Sequence, residues 1–502
     1  MPDLKLFIEP SVSSLLIRVS HFFSEHGVKA YLTGGLVRDM LLGRETADID
    51  IAVATDAPEI APGVAKALDG KDILLDEVNR ISRVVLENET AATKSRWELD
   101  FSTFEGDIEQ DLARRDFTIN AMAIDLEEFV RQPQSPVLID PFHGQDDLNN
   151  GAIRVISEST FISDPARLLR AVRLTGELGF SIDNETETLI QRYSNLIASV
   201  AGERIREELL QLLAMPQTGQ LLSYLDELDL LTAIIPELAQ MKGVSQPKIH
   251  VWDVFDHSIE TVATICFLLR EGTLKYAGKE VLAAVPRSVE LEQHFNQEVS
   301  SGSTRSSLLK LAALLHDIAK PQTKSIDEDG RARFLGHAKE GATTATGILE
   351  RLRFSTKEIK LVEALISHHL RPTQMSQKEL PSRRAIYRYF RDTGGAGVDI
   401  LFLSLADHLA TRGSQLYPSH WQQHTQLVAY VMAKRFEEDS LTVPPKLIDG
   451  NDLIKDFGLS PGPEVGEILE AVREAQAAGE VTTREEALTQ AERLLASHSL
   501  KR

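Results

Sequence analysis

YLTGGLVRDMLLGRETADIDIAVATD, from Tyr31 to Asp56, decides the fold. Its opening YLT reads as a short strand, and Gly34 and Gly35 follow as a turn whose small residues let backbone N–H groups approach an anion. VRDMLLG then starts a helix whose positive N-terminus faces the same anion, and Arg38 lies one turn in. The next strand, ADIDIAVA, alternates. Asp48 and Asp50 therefore share one face while Ile49 and Ile51 take the other. Two carboxylates on an apolar strand are costly without cations, so the stretch predicts a phosphate cradle beside a divalent metal site.

Downstream, RWELDFSTFEGD places a third acid, Asp100, in another alternating strand, where it is expected beside Asp48 and Asp50. Three acids suffice for two Mg²⁺ ions in an in-line phosphoryl displacement, a reaction that needs no covalent nucleophile from the protein. DLARRDFTINAMAID follows, and the adjacent Arg114 and Arg115 are of the kind that brackets phosphates bidentately. In SDPARLLRAVRL, helical spacing puts Asp164, Arg167, Arg170 and Arg173 on neighbouring turns, where an acid and an arginine can read base edges.

Taken in order, these motifs resemble the class II tRNA nucleotidyltransferase and bacterial poly(A) polymerase family, within the DNA polymerase β-like nucleotidyltransferase superfamily. The resemblance implies that Asp48, Asp50 and Asp100 are catalytic. It further implies that Gly34, Gly35, Arg38, Arg114, Arg115, Asp116 and Asn120 line the triphosphate and sugar. Asp164 and Arg167 match the Asp and Arg of the family's E-D-x-x-R motif, which pair with the incoming C or A in place of a template; Ser163 stands where the Glu would be. Only EGDIEQ separates the strand STF from DLARRDF, where many relatives carry a longer flexible loop. Relatives lacking that loop tend to add CC without the terminal A.

From Val251 the chain carries WDVFDHSIE, ALLHDIAK, FLGHAKEG, ISHHLRP and SLADHLA. Their His257, His316, Asp317, His337, His368, His369 and Asp407 mix imidazoles with hard carboxylates, a set suited to Mg, Mn, Fe or Ni. Lys320 is placed to touch a phosphate. This part resembles the HD superfamily of metal-dependent phosphohydrolases, with His257, His316, Asp317 and Asp407 as its signature. His337 with His368 or His369 would admit a second cation. SRRAIYRYFR, at Ser382 to Arg391, interleaves four arginines with Tyr387, Tyr389 and Phe390, either as an RNA-backbone contact or as an amphipathic helix with buried aromatics.

The expected fold class is α+β: a mixed α/β nucleotidyltransferase head over 1–150, then a helical neck over 151–242, an HD domain over 243–415 and a helical tail over 416–502. Within the HD region, the polar, Ser-rich stretch from Glu290 to Ser307 reads as a mobile insertion. A net charge of −21 excludes a generally basic nucleic-acid binder and requires a local basic path for any polyanion. Cys266 is the single cysteine, so no internal disulfide framework exists and a reducing compartment, the cytoplasm, is expected. The early acids of MPDLKLFIEP do not fit a secretory signal, and LLKLAALL, with Lys310 inside it, is too short for a bilayer span. The resemblance implies tRNA, CTP and ATP as partners, Mg²⁺ at the head and a divalent metal in the HD domain, with neither DNA nor membrane involved. A poly(A) polymerase, and an HD phosphohydrolase whose head merely binds nucleotide, are the competing readings.

Overall fold

The computed structural model describes residues 6–46, 48–90, 93–133, 136–375, 380–437 and 445–499. The chain forms two compact units, Met1–Val200 and Ala201–Arg502. The first is built on a sheet of seven strands: β1 (Ala30–Thr33), β2 (Asp48–Val53), β3 (Lys71–Asp76), β4 (Ile81–Thr90), β5 (Thr93–Thr103), β6 (Ala123–Asp125) and β7 (Leu138–Ile139), in the order β3-β4-β5-β2-β1-β6-β7. All neighbours are antiparallel except β2 and β5. A parallel pair needs a long crossover, which the helix Ala57–Leu68 and the β3–β4 hairpin supply. Its register sets Asp48 opposite Glu98 and Asp50 opposite Asp100.

Along β2 the alternation is clean: Ile49 and Ile51 are fully buried, whereas Asp48 is exposed and Asp50 half-buried. The apolar face packs toward the helix Pro10–Glu25, with the Phe23 and Phe101 rings edge to face at 5.9 Å. A mixed sheet carrying its acids on the face away from its buried isoleucines is what the sequence predicted for the head.

In the second unit the helices Val254–Leu268, Arg305–Leu315, His337–Arg351, Thr356–His368 and Gly397–Arg412 pack against one another. Arg305–Leu315 is enclosed on every side, Lys310 included. A buried ammonium is tolerated only when paired, and this one reaches Glu271 at 2.7 Å and the Met215 carbonyl at 3.0 Å. The last helices, Gly450–Phe457, Pro463–Ala478 and Arg484–Ser499, close a core of their own from Ile448, Leu453, Val465, Ile468, Val472 and Ala487. Among the described residues no helix is long and apolar enough to cross a membrane.

One expectation is overturned. Glu290 to Ser307 is not a mobile insertion but a helix, Val289–Asn296, a short hairpin and the start of Arg305–Leu315. Caps bound its helices: Ser288, just ahead of the segment, accepts from the Leu291 N–H, and Thr304 with Ser307 forms a capping box. Leu291 and Phe295 anchor the segment. Cap residues and linker residues share a composition, which is why the stretch reads as loop.

Candidate active sites

At the end of β1 the chain turns sharply through Gly34, whose φ is +68°. A Cβ there would lie 2.5 Å from Asp50 Oδ2 and 2.9 Å from Arg115 Nη1, so the turn, the acid and the arginine are in contact only because the side chain is absent. The Gly35 N–H donates to Asp50 Oδ2 at 3.1 Å, and Arg115 donates to Thr33 Oγ1 at 2.8 Å. Burial pushes the Asp50 carboxyl above its ordinary range and Asp100 adds to the shift, against the pull of Arg115 and Gly35. Asp48 is raised too, by burial and then by Glu98. Carboxylates that resist ionisation for these reasons are the ones a divalent cation relieves, so the chemistry of Asp48 and Asp50 fits a divalent cation.

Asp100 departs from the expectation of a free third ligand. It lies in register beside Asp50, yet Arg83 on β4, directly opposite it, donates to both of its oxygens at 2.7 and 2.8 Å and also reaches Glu98. Only the cross-strand register reveals this pairing. Arg83 and Glu98 carried no signal in the sequence.

Behind the turn, the expected phosphate ligands form a buried chain. Arg38 donates twice to Asp39, at 2.8 and 3.0 Å, and once to Asn120 Oδ1 at 2.9 Å. Asn120 donates to Asp116 at 3.0 Å, and Arg170 approaches the same carboxylate at 3.4 Å. Burial pushes Asp116 up, but Arg170, Asn120 and the Phe117 N–H outweigh it and hold the group below its usual value. Arg38 and Arg173 are buried, and both face Glu177, a residue the sequence reading missed. Arg38, Asn120 and Arg173 are thus each tied to buried or half-buried protein partners.

Arg114 and Arg115, adjacent in sequence, part company: Arg114 is exposed, whereas Arg115 lies at the turn. On the helix Ala166–Leu178, Arg167 reaches the Arg115 carbonyl at 3.4 Å and Asp164 at 3.5 Å, so the pair expected to read the base adjoins Arg115. Ser163, where the family's Glu would stand, donates to the Thr160 carbonyl at 3.2 Å. The EGDIEQ segment becomes a helix start: Asp107 caps Ile108–Leu112 directly after β5.

The second constellation is closed. His257, His316 and Asp317 form one group whose ligand atoms lie within 4.8 Å of one another; Asp317, His337 and His369 form the other. Asp317 is common to both. Its Oδ2 faces His316 Nε2 at 3.2 Å and His257 Nε2 at 3.6 Å, and its Oδ1 faces His337 Nε2 at 3.4 Å. Asp407 approaches His257 Nε2 at 3.1 Å. The Nδ1 atoms of His316, His337 and His369 each meet the carbonyl three residues earlier, at 2.8, 2.6 and 2.7 Å, which leaves every Nε2 turned inward as a lone-pair donor. His257 Nε2, His316 Nε2 and Asp317 Oδ1 are buried without a hydrogen bond. Bare converging donors of this chemistry fit divalent metal, and the bridging carboxylate fits two ions.

Electrostatics couple the cluster: burial presses His316 down, but Asp317 outweighs it and raises the imidazole. Burial pushes Asp317 up, yet His316 and Lys320 hold it well below the carboxylate range; Lys320 Nζ lies 2.6 Å from its Oδ2. Burial and then His316 press His369 down to about 4, keeping it neutral as a ligand must be. The structure brings His369 to the cluster and leaves His368 out of it, half-buried near Arg371 and Asp392. His250, unnoticed in the sequence, lies edge to face with His257 at 5.6 Å and is pushed down to about 4 by burial and Lys320.

Residues 30–154 match the Poly A polymerase head domain, residues 179–242 the probable RNA and SrmB-binding site of polymerase A, and residues 254–412 the HD domain. Along 464 residues the chain is 32% identical to the A-adding tRNA nucleotidyltransferase of Deinococcus radiodurans, covering 91% of this chain and 94% of that one. It is also 32% identical over 468 residues to the CC-adding tRNA nucleotidyltransferase of Thermus thermophilus, covering 91% and 92%. Among solved structures, the Thermotoga maritima CCA-adding enzyme complexed with tRNA has a similar fold, with a TM-score of 0.59, 22% identity and coverage of 97% and 96%.

Proposed function

The chain belongs to the class II tRNA nucleotidyltransferase and bacterial poly(A) polymerase family with an HD domain, and on that premise we propose how its residues add nucleotides to tRNA 3′ ends. It is a nucleotidyltransferase that takes CTP or ATP and extends tRNA. The observation that carries the assignment of residues is the contact of Asp50 with the Gly34–Gly35 turn and Arg115. Asp48 and Asp50 would hold Mg²⁺, which when bound supplies charge stabilisation at the α-phosphate and a more acidic 3′-hydroxyl. Arg115 and the exposed Arg114 meet the triphosphate. Asp164 and Arg167 read the base edge, and Arg170, aimed by the buried Asp116, completes the wall on that side. Arg83 holds Asp100 in line with Asp50, so Asp100 supports the two ligands through the sheet.

Within the class we assign CC addition. The capped helix Ile108–Leu112 leaves no long loop between β5 and Arg114, and relatives without such a loop tend to stop before the terminal A. Incubation with tRNA lacking its 3′ end, Mg²⁺ and each NTP separately, followed by sequencing of the extended ends, tests this. Two added C residues are expected from CTP. A terminal A from ATP on a CC-ended tRNA would overturn the CC assignment, runs of A would establish the poly(A) alternative, and no incorporation at all would sink the head's role.

A second reading concerns the HD site. The two ligand groups sharing Asp317 support a metal-dependent phosphohydrolase centre, with Mg, Mn, Fe or Ni as candidates and Lys320 beside the phosphate. Phosphate release from tRNA ends carrying a 3′-phosphate or cyclic phosphate, lost in Asp317→Ala and retained in Asp48→Ala, tests it.

A further inference from the structure

The basic, aromatic helix singled out in the sequence, Arg383–Thr393, has two faces with different owners. Ile386, Tyr389 and Phe390 are buried, and the Tyr389 hydroxyl donates to the Gly397 carbonyl at 2.6 Å, which fixes this face to the HD body. The other face meets the acidic side of Pro463–Ala478. Arg388 forms a forked pair with Glu474 at 2.9 and 2.6 Å. Arg391 reaches Glu470 and Glu474 at 2.9 Å each, Arg384 reaches Glu480 at 2.8 Å, and Tyr387 donates to Glu470 at 3.0 Å. The arginines are therefore not free for RNA as they stand, contrary to one of the two readings of the motif.

What holds the tail here differs from what holds it together. Its apolar core is closed by its own residues. From Pro445 to Ser499 it carries eleven acids against five bases, while Arg383–Thr393 carries four arginines and one acid. The Arg384, Arg388 and Arg391 side chains remain 39%, 51% and 35% exposed, so water and salt reach the pairs. Ion pairs of this kind are weak and screened, whereas a chain of phosphates is a denser anion than three glutamates. Glu470, Glu474 and Glu480 occupy the positions that phosphates would take.

We propose that the face of Arg384, Arg388 and Arg391 is a binding surface for the phosphate backbone of RNA, covered in the free protein by the acidic helix of its own tail and uncovered when RNA displaces that helix. The inference rests on tRNA being the substrate. Because the arginines stand on a helix anchored from behind, release of the tail exposes them without rebuilding the surface.

The test uses the full chain carrying Glu470→Gln, Glu474→Gln and Glu480→Gln together. These glutamates lie outside the tail core, and far-UV circular dichroism checks that the variant folds. Hydrogen exchange should show lost protection at the interface between the two helices. At low salt, affinity for tRNA should rise about fivefold or more, and the log–log salt slope should steepen by about 2 as additional phosphates are contacted. Arg384→Gln, Arg388→Gln and Arg391→Gln together should lose protection as well but bind tRNA more weakly than the glutamine-for-glutamate variant. Unchanged protection in the first variant overturns the proposal, since ion pairs would then not hold the tail. Lost protection with unchanged tRNA affinity overturns it too. CTP incorporation by the unsubstituted protein, measured in parallel, separates these outcomes from failure of the nucleotidyltransferase reading itself.

Discussion

The two sites place their ligands by opposite means. In the head, Asp48 and Asp50 project from one strand, half open to solvent, and nothing but strand register brings Asp100 alongside. In the HD site, six side chains arrive from three helices and from the turns that end two others, and three of the histidines are fixed from behind by backbone carbonyls. A strand site is assembled locally and stays open for a large substrate. A helical box is assembled globally and closes its donor atoms off from solvent.

That contrast can be broken most sharply by exchange of single ligands. Asp50→Asn should lower CTP addition to tRNA on the order of 10³-fold while leaving the metal content of the HD site unchanged, measured by incorporation assay and elemental analysis. Asp317→Ala should strip both ions from the HD site and leave CTP addition within about twofold, as for independent sites. If either substitution abolished both properties, two separable sites would be the wrong description.

Gly34→Ala comes next. Its Cβ would meet Asp50 at 2.5 Å in a backbone of positive φ, so addition should fall by roughly 10²-fold, the expected result of displacing reacting groups by about 1 Å. Full activity would show that the turn does not set the position of the acid.

In the helical box, His369→Ala should weaken one of the two ions by about 10- to 100-fold, with His368→Ala leaving metal titrations unchanged. Equal effects would return His368 to the ligand set.

The smallest effect is one of pH. Burial, then His424 and Arg412, push His408 down to about 3, so between pH 6.5 and that value the unfolded chain binds a proton that the folded chain refuses. Stability should fall as pH drops through this window, and His408→Gln should narrow the difference in Tm between pH 7 and pH 5. A difference left unaltered would mean that His408 is neutralised in some other way.

Periodicity made much of the head legible. Ile49 and Ile51 against Asp48 and Asp50 give the strand its faces, and the glycines and carboxylates act within a span of seventeen residues. The fate of Asp100 was hidden, because Arg83 reaches it only through the β4–β5 pairing. Arg38 reads as a phosphate ligand by position, yet its partners Asn120 and Glu177 lie far along the chain. In the HD region the motifs named the ligand types, but the choice between His368 and His369 depends on which one the end of Thr356–His368 turns inward.

By itself, the amino-acid order determined the α+β class, the acid-bearing strand, the glycine turn and the roster of candidate metal-binding side chains, because alternation, helical spacing and turn chemistry act over a few residues. Only the folded chain decided which acid carries an arginine on its back, which histidine enters the box and that the basic helix is already covered by an acidic one. Those choices are made by contacts between segments distant in sequence, where burial and charge pairing select among partners that local pattern leaves equivalent.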